Sequence, residues 1–295
     1  MSFSSSVKDE LALIENTSEC CDHAQAYGLA LFGKTFSPRG ISLTTEHKTV
    51  ADIYRSKIYQ ATGITPTLTL TKAGNNKIEI PSKEDRIKVY DTFSHSPNDI
   101  TLRINHSNFN CEECYKAFLR GVYLSCATVC DPIKSYHLEF VVSYSKLAND
   151  LIKIIEDMNL SPKYSIRNSN HIIYFKNSEE IEELLALVGA CELTLQFMVT
   201  KVEKDVINRI NRKNNFEYAN MMRTIDAGLG QVYAINKLKS NGKFDDLPAE
   251  LRELCDIRLE NPEASLSELS NLLDNKVTKS GIKHRLKKIV DLSKE

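Results

Sequence analysis

"CYKAFLRGVYLSCATVCDP" (114–132) reads as a helix with a glycine in its middle and no acid before its end. A glycine inside a helix costs roughly 1 kcal/mol against alanine, so Gly121 needs a reason beyond its own helix. Ala117, Gly121 and Ser125 recur every four residues and so share one face. A face of small residues lets a second backbone approach closely. Upstream, "AQAYGLALFGKTFSPRGISLTTE" (24–46) repeats the pattern less completely: Ala24 and Gly28 keep the phase, and Phe32 then breaks it.

The likeness extends beyond these two helices. Each is followed by a turn with proline, Pro38 or Pro132, and then by a strand-like run. A further helical segment comes next, "TVADIYRSKIYQAT" in one case and "KLANDLIKIIEDM" in the other. These lead into "GITPTLTL" (63–70) and "NLSPKYSI" (159–166). Gly28 and Gly121 are 93 residues apart and Pro66 and Pro162 are 96 apart, so one short loop indel reconciles the halves. Four features in the same order twice point to an internal duplication. Each half reads α-β-β-α-β-β, an α+β arrangement, with the halves expected at 1–107 and 108–205.

Composition sets the outer limits. The chain has 295 residues, 42% hydrophobic and 26% charged, the profile of a globular protein with a real core. No run approaches the ~18–20 apolar residues that span a bilayer; the most apolar late stretch, "LLALVGACELTLQFMV", is cut by Glu192. The start, "MSFSSSVKDELALIE", lacks the basic and apolar regions of a signal peptide, so a cytoplasmic protein without membrane association is expected. A net charge of −1 argues against a protein that coats nucleic acid everywhere, but leaves room for a local basic patch.

Beyond about residue 178 the chain is almost proline-free and mostly helical. Within it, "NRINRKNNFEYAN" (208–220) suggests a linker at 206–220 ahead of a helical domain at 221–295. Arg209, Arg212 and Lys213 there, with Arg223 beyond, either touch phosphates or are the solvated side of a connector. "LPAELRELCDIRLENP" (247–262) is an amphipathic helix. Ser265 and Glu268 have the spacing of a capping box at the start of a short helix with Leu266, Leu269, Leu272 and Leu273 on one face. "DNKVT" is a turn, and "KSGIKHRLKKIVDL" is the last helix.

Phased at about 100° per residue, that helix buries Ile282, Leu286, Ile289 and Val290. Its opposite wedge carries Ser280, Lys283, His284, Lys287 and Lys288, with Arg285 on the flank. Lys279 and Ser280 stand at the N-terminus, the end that a recognition helix presents to base edges. Gly281 leaves the backbone free to approach a phosphate there. The plainer reading is a solvated last helix whose lysines suit the dipole of its C-terminus. The capped short helix and tight turn before it favour a helix-turn-helix, with Ser265 counted among the DNA-binding residues and double-stranded DNA as the partner.

The duplicated unit with its glycine-bearing helices resembles the LAGLIDADG homing endonuclease fold. That resemblance implies two helices packed at a pseudo-twofold axis and strands shaped into DNA-binding saddles. It also implies an acid at the end of each helix, holding metal for phosphodiester cleavage. Aligning "AYGLALFGK" and "LRGVYLSCA" with the nine-residue motif puts Gly33 and Cys126 at those places. Neither is a hard oxygen ligand, and Asp131 is too far along. The expectation is a duplicated LAGLIDADG-like αββαββ domain without nuclease activity, followed by an all-α helix-turn-helix domain. That combination resembles the WhiA family, on "FLRGVYLSCATVCDPIKSYHLEF" (118–140), "NRINRKNNFEYAN" (208–220), "RLENPEASLSELSNLL" (258–273) and "TKSGIKHRLKKI" (278–289). The resemblance implies a nucleoid-associated regulator of transcription, acting in cell division and chromosome segregation, and in sporulation in relatives. A second regulator or RNA polymerase would be a further partner. The alternative is a protein-interaction scaffold with only weak, non-specific DNA binding.

Eight cysteines lie at 20, 21, 111, 114, 126, 130, 191 and 255. Disulfides are rare in a cytosolic chain. Cys111-x-x-Cys114 opens a zinc reading, but a structural site needs four ligands. The nearest candidates in sequence are Cys126 and Cys130, placed along the following helix, and His137. Buried small residues explain the same pattern, and Cys20-Cys21 reads as core; neither metal nor cofactor is expected. No H-E-x-x-H, P-loop, dinucleotide fingerprint or G-x-S-x-G is present.

Overall fold

The computed structural model describes residues 2–97, 99, 101–273 and 277–294. They fall into two units, Met1–Lys204 and Asp205–Glu295. In the first, α1 (Phe3–Ala12) precedes α2 (Glu19–Leu31), β1 (Thr35–Ser37), β2 (Gly40–Thr45), α3 (Lys48–Thr62), β3 (Thr67–Leu70) and β4 (Asn76–Glu79). After α4 (Lys83–Thr92) and a single 3-10 turn (His106–Asn108) the order repeats. The second round is α5 (Glu112–Cys126), β5 (Ala127–Val129), β6 (Leu138–Val142), α6 (Ser145–Asp157), β7 (Lys163–Arg167) and β8 (Asn170–Phe175), closed by α7 (Ser178–Val188).

The two sheets have the same topology, β1-β2-β4-β3 and β5-β6-β8-β7, with antiparallel neighbours throughout. The duplication is therefore real, and the α-β-β-α-β-β order holds in both halves. Period-2 alternation sends Ile41, Leu43 and Ile78 of one sheet, and Leu138, Phe140, Val142, Ile173 and Phe175 of the other, into the core. Lys77 and Glu79 take the opposite side of β4, and Glu139 the opposite side of β6.

Helices α2 and α5 form the centre of this unit. Tyr27 and Phe118 pack with ring centroids 5.6 Å apart, and Ser125 Oγ donates to the Leu29 carbonyl at 2.9 Å. Gly28 and Gly121 lie where the two backbones meet. One expectation is corrected here: the helix does not run on toward residue 132. Ala127 is extended (φ −94, ψ 154) and opens β5, so Cys130 lies beyond the helix, not along it. The β-branched Thr128 and Val129 favour a strand, and Pro132 biases the residue before it away from helix.

α8 (Cys191–Ser240) begins in the first unit, where Phe197 is buried beside Phe3 and Tyr136. The expected linker, 206–220, is helical and almost wholly exposed. The last part of α8 joins α9 (Ala249–Glu260), α10 (Leu266–Leu272) and α11 (Lys279–Leu292) around a separate core of Ile235, Leu238, Leu254, Leu269, Ile282 and Leu286. Of the "DNKVT" turn, Asp274, Asn275 and Lys276 lie outside the described residues. Among the described residues, no helix is long and apolar enough to cross a membrane.

Candidate nucleic-acid interface

The second unit presents its basic helix through a set of local restraints. Arg258, only 2% exposed, sends one guanidinium nitrogen to the carbonyls of Asn261, Pro262 and Ala264 at 3.3, 3.3 and 2.7 Å. It thereby fixes the bend between α9 and α10. Burial pulls its pKa down, yet guanidinium stays charged in proteins, so the carbonyls serve as its counter-dipoles. The capping box at α10 is complete: Ser265 Oγ accepts from the Glu268 amide at 3.3 Å, and Glu268 accepts from the Ser265 amide at 2.7 Å. Ser270 Oγ donates to the Val277 carbonyl, tying α10 to the entrance of α11.

α11 begins on an N-cap in which Thr278 Oγ1 accepts from the Gly281 amide at 3.3 Å. Ile282, Leu286 and Ile289 are buried, as the phasing predicts, and Val290 is half-buried. Lys279, Ser280, Lys283, His284, Lys287 and Lys288 are all exposed. Among the described residues none of these four lysines is held in an ion pair; the acids nearby are engaged elsewhere, Asp291 with Lys294 and Glu250 with Arg285. An open row of ammonium groups on a helix anchored by its other face is suited to phosphate oxygens.

The remaining sequence candidates are placed differently. Arg285 is half-buried and bound to Glu250 of α9. The Ser265 hydroxyl is used in its own cap. Gly281 has a local reason to lack a side chain, because a Cβ would come 2.8 Å from Val277 Cγ1. Arg209, Arg212 and Lys213 are exposed on α8 at spacings of three and four, on one face, with Glu217 at 4.0 Å from Lys213. Sequence reasoning missed Arg258, although "RLENP" placed it beside a helix-ending Asn-Pro where free carbonyls had to be met.

At the ends of the glycine helices, a Cβ on Gly33 would lie 2.8 Å from the Ser42 carbonyl oxygen. Cys126 is half-buried, its Sγ donates to the Val122 carbonyl at 3.4 Å, and burial pushes its thiol up to about 12. Asp131 sits past β5, where its carboxylate accepts from the Ile133 amide at 2.9 Å. The zinc partners weighed for Cys111 and Cys114 also need correction. Cys126 is at the far end of α5, ~18 Å along the helix from Cys114 at 1.5 Å per residue, and His137 pairs with Glu139. The sulfurs that do meet Cys111 and Cys114 belong to Cys20 and Cys21.

Residues 115–207 match the model of the WhiA LAGLIDADG-like domain, and 210–293 that of the WhiA C-terminal HTH domain. A protein of Clostridium botulinum (strain Eklund 17B / Type B), named "Probable cell division protein WhiA", is 34% identical over 312 residues, covering 100% of this chain and 98% of its own. The chain belongs to the WhiA family. A second WhiA, from Thermoanaerobacter sp. (strain X514), is 33% identical over 311 residues with the same coverage. The fold agrees with the crystal structure of full-length WhiA from Thermotoga maritima, at a TM-score of 0.60 and 23% identity, covering 100% of this chain and 98% of that one.

Proposed function

We propose that this WhiA-family protein is a non-catalytic DNA-binding regulator of transcription that acts in cell division and chromosome segregation. The observation that carries the reading is the exposed lysine face of α11, with Lys279 and Ser280 at its capped N-terminus. In this account Lys283, Lys287 and Lys288 grip phosphates while the first turn enters the major groove. Ser265, His284 and Arg285 flank the contact, and Arg209, Arg212 and Lys213 add phosphate contacts along α8. The name of the related proteins, probable cell division protein WhiA, supports the cell-division role. A cytoplasmic, nucleoid-associated location follows from that role, as does a second regulator or RNA polymerase as partner.

Lack of nuclease activity rests on chemistry at the two helix ends. Gly33 has no room for a carboxylate side chain, and Cys126 is a thiol kept protonated by burial; neither offers the oxygen that Mg²⁺ prefers.

A second reading is favoured by the open faces of the sheets. Lys77 pairs with Glu79, and Arg167 with Glu139 at 2.7 Å. Two of the cations on the outer strand faces are thus neutralised, while Leu70, Tyr164 and Ile166 stand exposed on the edge strands β3 and β7, on the same side of the sheets as Ile78 and Ile173. Such a surface suits a protein partner better than a phosphate backbone. Photocrosslinking of the full-length protein to its bound genomic fragments tests both. Crosslinks are expected in α11; crosslinks confined to the strands, with α11 silent, would remove the DNA-reading assignment.

A further inference from the structure

Four cysteines that are distant in sequence converge on one point of the first unit. Cys20 and Cys21 stand in the first turn of α2; Cys111 is the N-cap of α5 and Cys114 lies in its first turn. The duplication that joins the glycine faces of these helices also brings their N-termini together. Cys111 Sγ is 3.7 Å from Cys20 Sγ, 3.7 Å from Cys21 Sγ and 3.4 Å from Cys114 Sγ, and the four sulfurs all lie within 4.8 Å of one another. A tetrahedral ion with Zn–S bonds of ~2.3 Å holds its sulfurs ~3.8 Å apart. The observed spacing is close to that value. A cluster of several irons would spread its thiolates farther.

Core packing explains buried Cys21 and Cys114, since free cysteine is among the most buried residue types. It does not explain why half-exposed Cys20 and exposed Cys111 point at the same place. We propose that Cys20, Cys21, Cys111 and Cys114 form a structural site for one zinc(II) ion, which joins the N-termini of α2 and α5. Four thiolates fill the shell, so the site is closed and has no position for substrate. Each ligating thiol releases its proton to solvent.

The surroundings suit the charge of a zinc tetrathiolate. Both helix N-termini present positive dipole ends. Glu19, Glu112 and Glu113 compete for them, but Asp22 is taken up by Lys57. Arg120, buried and hydrogen-bonded to Asn16 and to the Val188 carbonyl, lies close enough to interact with Cys21. The Ser18 hydroxyl lies 3.2 Å from Cys20 Sγ, within reach to donate to a ligating thiolate there. A depression lined by Glu19, Cys20, Asp22, His23, Gln60 and Asn110 opens the site to solvent for loading.

The test uses full-length protein purified with a reductant and without chelator. Mass-spectrometric metal analysis should find one zinc per chain. Replacement by cobalt(II) should give the absorption of a tetrahedral tetrathiolate. Cys111→Ser, at an exposed position that leaves the core intact, should weaken zinc binding by more than the about 10–100-fold that losing an outer-shell partner costs and should shift the cobalt spectrum. Cys20→Ser should do the same, and Cys191→Ser, exposed and outside the cluster, should change neither. The proposal is overturned by any of three results. These are full-length protein that neither holds nor tightly takes up zinc, Cys111→Ser protein that binds zinc as tightly as the parent, or the absorbance of an iron–sulfur cluster.

Discussion

Gly28 and Gly121 hold equivalent places in the two halves, each lodged against the other helix's backbone. A Cβ on Gly28 would lie 2.3 Å from the Phe118 carbonyl oxygen, and one on Gly121 would lie 2.3 Å from that of Gln25. Ser125, one turn on, uses its hydroxyl to bridge the same gap. The helix penalty of glycine is thus offset by the closest packing in the first unit's central helix pair.

Gly121→Ala should therefore destabilise the protein, although helix propensity alone favours it by about 1 kcal/mol. The obstruction is main chain and cannot rotate away, so a net loss of about 2 kcal/mol is expected, within the range for overpacked cores. Urea unfolding of the variant beside its parent decides the sign; a gain in stability would show that the helices can separate freely.

Replacing Lys283, Lys287 and Lys288 together by Ala should weaken DNA binding and flatten its salt dependence. Every phosphate that the protein no longer neutralises takes ~0.9 off the slope of log affinity against log salt. Their exposure predicts little effect on folding. An unchanged slope, measured by fluorescence anisotropy over a salt series, would place the DNA-binding face elsewhere.

Arg258→Met keeps most of the buried volume but leaves the carbonyls of Asn261, Pro262 and Ala264 without their donor. Hydrogen bonds from charged groups contribute about 1.5–3 kcal/mol each, and they share one nitrogen here, so a loss of about 2–4 kcal/mol is expected. DNA affinity should fall with it, because the bend before α10 relaxes. Arg258→Lys should restore part of the loss, since an ammonium also offers several donors from one nitrogen, though on a shorter side chain. Hydrogen exchange of the second unit, faster in α10 and α11 than in the parent, is the readout.

Asp150 gives the fold a dependence on acid. Burial alone would raise its pKa, but Arg103 at 2.6 and 2.5 Å and the Ile104 amide at 3.2 Å hold it below the usual carboxylate range. A carboxyl depressed in the folded state adds stability above its unfolded value of about 3.9, and that stability is lost as pH falls through the folded value. Unfolding free energy measured from about pH 6 to about pH 3 should drop less steeply for Asp150→Asn than for the parent. Parallel curves would mean the pair is too well solvated to matter.

Much of the architecture was legible because the duplication writes each feature twice. The glycine helix, the proline turn and the later Pro66 and Pro162 mark places where backbone geometry, not side-chain chemistry, limits the choice of residue. The phase of α11 was legible too, since Ile282, Leu286 and Ile289 leave one orientation for the helix. What escaped depends on encounters across distance in sequence. Cys20 and Cys111 are separated by 91 positions and meet only because two helices start side by side. No spacing rule joins a C-C pair to a remote C-x-x-C. Residues 206–220 form helix without a buried stripe, so periodicity could not separate a helical connector from an irregular one. Arg285 looked free because its partner, Glu250, comes from a neighbouring helix.

Two repeats whose main chains touch cannot drift apart as separate genes would. A side chain gained on either inner surface is paid for by both, which ties the histories of the duplicated halves together. Cut between residues 92 and 104, the chain would yield two polypeptides, each exposing a groove shaped by bare peptide groups that only its sibling can fill.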